Sequence, residues 1–133
     1  MRNFIAFLFL ATSSMPAVAE GICDHGKPEM LSFLSWEFKD NQDKYKSVDV
    51  TINYHNNVDQ SFELMGVFYF VNDANGKRVT EGSFGSSAKA NSDATESMTS
   101  VFDPPEQWHE VMNLKPTLCV YYTIDENKVR VDY

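Results

Sequence analysis

Ser47-Val48-Asp49-Val50-Thr51-Ile52-Asn53-Tyr54 alternates without a fault: Val48, Val50, Ile52 and Tyr54 fall on one side, Asp49, Thr51 and Asn53 on the other. An extended chain points successive side chains to opposite faces, so this stretch predicts a strand with one buried and one wet face. Upstream, Leu31 to Lys39 (LSFLSWEFK) also alternates, but its phase slips between Phe33 and Leu34 and resumes at Trp36 and Phe38. A β-bulge at the slip reconciles the two halves.

Downstream, Glu63 to Val71 (ELMGVFYFV) is apolar on both faces, with Leu64, Phe68 and Phe70 on one and Met65, Val67, Tyr69 and Val71 on the other. It predicts a central strand whose second face needs a cover. The face of Met65, Val67, Tyr69 and Val71 is therefore a candidate partner surface, with a helix bearing Trp108 and Met112 as the alternative, internal cover. If that helix covers it, the partner site moves to the loops, where Phe84 is the one aromatic candidate.

Asn72-Asp73-Ala74-Asn75-Gly76 supplies turn chemistry, Lys77 to Phe84 returns as the partner of a hairpin, and Gly82, Ser83, Gly85, Ser86 and Ser87 predict a flexible loop. A further strand covers about Asp93 to Phe102. Asp103-Pro104-Pro105-Glu106 has a capping-box pattern, and Trp108, Val111 and Met112 follow at helical spacing, which predicts one short helix over 104–113. Thr117 to Ile124 alternates again, grouping Leu118, Val120, Tyr122 and Ile124, and Asp125-Glu126-Asn127-Lys128 turns it into a last strand, Val129 to Tyr133. About seven short strands with turns between them predict an all-β fold, an immunoglobulin-like antiparallel β-sandwich with one short helix, formed by residues 20–133.

The stretch Val48 to Phe102 resembles the small immunoglobulin-like modules called FxLYD domains. The likeness lies in an alternating strand ending in Asn56-Asn57, then the aromatic strand Phe68-Tyr69-Phe70 leading into Asp73-Ala74-Asn75-Gly76-Lys77. The aromatic-Leu-Tyr-Asp run itself is missing, so the resemblance implies a fold and transfers no functional residue.

The first residues set the compartment. Arg2 precedes the apolar run Phe4 to Ala11, and Ala17-Val18-Ala19 is a small-x-small cleavage site, so residues 1–19 read as a secretory signal peptide. The run is too short to span a bilayer. Cys23 lies close behind, but Glu20 and Ile22 are wrong for a lipid-attachment site. Cleavage removes Arg2 and no acid, so the formal net charge moves from -8 to -9 on 114 residues, enough for one domain. That balance argues against nucleic acid and anionic membranes as partners and is compatible with a basic protein. Cys23 and Cys119, the only cysteines, predict one disulfide in an oxidising compartment.

Little in the chain points to chemistry. His25, His55 and His109 are far apart, and a metal site built from them with Cys23 has no supporting spacing. Asp73-Ala74-Asn75-Gly76 lacks the remaining ligands of a calcium loop, and Gly82 to Ser87 lacks the lysine and helix of a phosphate loop. No G-x-S-x-G elbow is present. The expectation is a non-enzymatic periplasmic or secreted module, of accessory, inhibitor or immunity type. It would need no cofactor and bind another envelope or secreted protein without entering a membrane. The alternatives are a periplasmic small-ligand or metal carrier and a small carboxylate-dependent hydrolase.

Overall fold

The computed structural model describes residues 23–73 and 75–133, apart from the side chain of Met65. The expected signal segment, 1–19, lies outside the described residues. Among the described residues seven strands follow one another: β1 (Leu31–Asp40), β2 (Ser47–Asn56), β3 (Phe62–Asn72), β4 (Arg78–Ala88), β5 (Asp93–Val101), β6 (Pro116–Asp125) and β7 (Arg130–Asp132). They form two sheets, in the orders β1-β2-β5 and β4-β3-β6-β7, with every pairing antiparallel. This is the expected all-β sandwich. A 3-10 turn, Pro105–Gln107, and α1 (Trp108–Val111) carry the chain from β5 in the first sheet to β6 in the second.

The alternation of β2 is the alternation of its burial. Val48, Val50, Ile52 and Tyr54 are within 1% of complete burial, while Asp49, Thr51 and Asn53 face outward. The bulge expected in β1 is present: register shifts between Phe33 and Ser35, and Leu34 swings out to 49% exposure. Trp36 then faces inward, edge-on to Tyr69 of the opposite sheet, and its indole N–H donates to the Met112 carbonyl at 3.1 Å.

Three hairpins close on one five-residue device. The carboxylates of Asp43, Asp73 and Asp125 each accept two main-chain N–H groups, two and four residues on, at 2.8–3.1 Å. Their own carbonyls accept the N–H three residues on, from Lys46, Gly76 and Lys128. That third residue has a left-handed backbone each time, with φ 53°, 77° and 63°. Aspartate satisfies the turn amides, so two of the three turns tolerate a lysine where glycine is the unstrained choice. The turn reading of Asp73-Ala74-Asn75-Gly76 is thus accounted for by backbone hydrogen bonding, although Ala74 lies outside the described residues.

Several expectations need correction. The Gly/Ser stretch is not a loop, because β4 runs on to Ala88 and hydrogen-bonds to β3 as far as Phe62. Gly82 serves packing there. The capping box does not form: no side chain caps either helical turn, and the helical segment ends at Val111. β3 changes phase at Gly66 (φ 69°), so Phe62 and Leu64 and then Val67, Tyr69 and Val71 all point into the core. β6 follows beside it. Leu118 and Val120 are buried in the core, Tyr121 and Tyr122 both lie half-buried outside it, and Thr123 is buried again. The expected grouping of Tyr122 and Ile124 with Leu118 and Val120 therefore fails.

Candidate functional site

Val67, Tyr69 and Val71 are 0–3% exposed and form the sandwich interior, so they are not a partner surface. The helix is not their cover either: α1 buries Val111 and stacks Trp108 on Phe38, while Met112 stays 42% exposed. Two sheets packed face to face already dry that side of β3. Phe84 is likewise inside, 7% exposed against Tyr54. The side chain of Met65 lies outside the described residues.

The second face of β3, which carries Phe68 and Phe70, is covered in part by another region of the chain. Cys119 points away from Leu118 and Val120 and is bonded to Cys23, as expected from the two cysteines. The N-terminal arm therefore crosses the outer face of β6. Its main chain pairs with that strand at one point, Lys27 N–H to Val120 carbonyl at 2.9 Å and the reverse at 3.1 Å. His25 meets Tyr121 edge-on, and Asp24 reaches Arg78 of β4 with two contacts, at 2.9 and 3.1 Å. A side chain at Gly26 would strike the Val120 carbonyl at 2.6 Å, so the arm hugs the strand only because that residue is glycine.

Arg78 owes its position to a second irregularity. Val71 pairs with Thr80 but Asn72 with Arg78, so one extra residue, Val79, turns the arginine to the outer side. Its guanidinium lies 3.9 Å from the centre of the Phe70 ring, which is 1% exposed. The hydrogen bonds and charge of Asp24 hold Arg78 firmly protonated, and Arg78 in turn holds the Asp24 carboxyl below the usual range. Nearby, Phe68 and Tyr121 pack at 4.0 Å between ring centres, and Arg130 of β7 lies 3.7 Å over Tyr122. Desolvation, then the carboxylates of Glu81 and Asp24, push the Tyr121 phenol up. Phe68, Tyr121 and Tyr122 remain half-buried, so this face offers aromatic edges and arginine heads to solvent.

The outer face of the other sheet is different in kind. Asn53 donates to Ser35 and accepts from Thr95, Thr51 meets Ser97 at 2.9 Å, and Thr99 donates to Asp49 at 2.8 Å. Its hydroxyl and amide groups bond one another across the strands, leaving little apolar area for a partner to dry. His55 belongs to this face, 2.6 Å from Asp93, whereas His25 lies on the opposite side of the sandwich and His109 stacks on Trp108. The three histidines are thus not brought together, and among the described residues no three His, Cys, Asp or Glu side chains gather as metal ligands.

Arg78, Tyr121, Tyr122 and Arg130 were not singled out from sequence. One signal was there: two adjacent tyrosines in an alternating strand cannot both be core residues. Comparison with known proteins adds no relative: the chain matches no family model and no curated protein. No helix among the described residues is long and apolar enough to cross a membrane.

Proposed function

We propose that this chain is a non-enzymatic binding module, exported to the periplasm or the medium, that docks on another envelope or secreted protein. The observation that carries the reading is the face formed by Phe68, Tyr121 and Tyr122 with Arg78 and Arg130 over the neighbouring rings. Tyrosine, phenylalanine and arginine are the side chains enriched at protein interfaces and at their energetic centres. The guanidinium groups are already held by Asp24, Glu81 and Asp132, so little side-chain freedom is lost when a partner arrives. The disulfide is compatible with an oxidising compartment, and the N-terminal run supports export. An immunoglobulin-like module of the FxLYD kind is part of the same proposal.

A photoreactive residue at position 121, in cells exporting the protein, should give one discrete cross-linked adduct that Arg130→Glu weakens. The same residue at position 51, on the hydroxyl-rich face, should give none. Equal labelling from both positions, or none from position 121, counts against the reading.

A further inference from the structure

A β-sandwich that stays monomeric has to manage four strand edges, and three of the four here are blunted in recognisable ways. β1 is bulged at Leu34, and its Trp36 is bonded to Met112 in the segment after α1. β4 carries two register shifts against β3. β7 is three residues long and carries Arg130 and Asp132. β5 is the least protected, its one such feature being the inward-pointing Glu96. It pairs with β2 over nine residues without a shift, contains no proline, lysine or arginine, and among the described residues its other edge makes no backbone hydrogen bond.

The side chains along this edge narrow what can join it. Thr95, Ser97 and Thr99 stand on the outer face, and Ala94 and Met98 lean on the core. Between the last two, on the inward side, is Glu96. It borders a shallow groove of about 450 Å³ between the β5 and β4 edges, lined also by Gly85, Ser86, Ser87 and Glu63. Glu96 is half-buried and has no ion-pair partner among the described residues. The groove wall from β4 is made of small residues, which leaves room for a long side chain entering from an added strand.

We propose that the free edge of β5 takes up an extended segment of a partner protein by strand addition, and that this segment places a lysine or arginine against Glu96. Backbone hydrogen bonds supply the attachment, and every second side chain of the segment falls into the groove. A second copy of this chain fits poorly, because pairing β5 with itself near Glu96 sets that carboxylate opposite or diagonal to its own copy, on chains of net charge -8. This surface is separate from the aromatic face, and neither reading depends on the other.

The test uses the exported, disulfide-bonded protein and two synthetic peptides as long as β5. Both alternate valine and threonine and are N-methylated on one edge against self-assembly, one with a central lysine and the other with glutamate. Amide signals of Asp93 to Val101 should shift and their exchange should slow, with the lysine peptide binding about tenfold or more tighter. Glu96→Lys should reverse the preference. Glu96→Gln, which folds without a reversed charge, should abolish it. Shifts confined to residues around Tyr121, or a lysine preference that survives Glu96→Gln, overturn the proposal. So does protection of β5 that rises with protein concentration and no peptide, which gives the edge to a second copy.

Discussion

Gly82 lies flat against the ring of Tyr69: a methyl group built on Gly82 would stand 2.7 Å from the Tyr69 hydroxyl and 2.8 Å from its ring carbons. Tyr69 comes from β3 and Gly82 is its direct neighbour on β4. Gly82→Ala should therefore destabilise by about 1–3 kcal/mol through overpacking. Tyr69→Ala empties a side chain that is 97% buried and should cost roughly 3–5 kcal/mol. Thermal melting of both variants checks this, and an unchanged melting temperature for Tyr69→Ala would contradict its place in the core.

Asn56 is completely buried and knits two loops to β2. Its amide donates to the carbonyls of Gln60 and Lys89, both at 3.0 Å, and its side-chain oxygen accepts the Val58 N–H at 2.9 Å. Asn56→Ala leaves these groups without partners and should cost at least about 2 kcal/mol. Asn56→Asp should be worse at neutral pH, since it turns a carboxylate toward two carbonyl oxygens, and should recover part of the loss in acid. Urea unfolding of each variant at two pH values decides it.

Asp43 sets a pH dependence whose sign can be worked out. The Ser47 hydroxyl and the turn N–H groups hold its carboxyl below the usual range. A folded-state pKa below the unfolded value, about 3.9 for a free aspartate, means stabilisation that is complete at neutral pH and lost as pH falls through the folded value. Asp43→Asn should lower stability at neutral pH and flatten the acid limb of the stability profile. Denaturation midpoints between pH 2 and pH 7, on the scale of ordinary carboxylate titration, measure both effects.

The disulfide anchors the arm over β6. Unfolded, unreduced protein should show no titratable thiol. Cys23→Ser with Cys119→Ala removes a cross-link spanning 96 residues and should cost about 2–4 kcal/mol. It should also speed hydrogen exchange at the Val120 amide, whose acceptor is the Lys27 carbonyl in the arm.

Sequence alone determined the features that depend on near neighbours along the chain. Alternation in Ser47 to Tyr54 specified a half-buried strand because side-chain direction in an extended backbone follows parity. The phase slip at Leu34 specified a bulge for the same reason, and two cysteines specified one bond. Which way β3 faces was not available at that range. Both of its sides are apolar, and the choice was made by Gly66, whose left-handed backbone shifts the parity, and by the β6 neighbours Tyr121 and Tyr122. The pattern Gly-Ser-Phe-Gly-Ser-Ser looked like a loop because small residues carry little strand preference of their own; tertiary packing against Tyr69 and Tyr54 made it a strand. The candidate faces were hidden for the same physical reason. Arg78 over Phe70, Arg130 over Tyr122 and the open edge of β5 are relations between residues distant in sequence, and only the closed sandwich brings them into being.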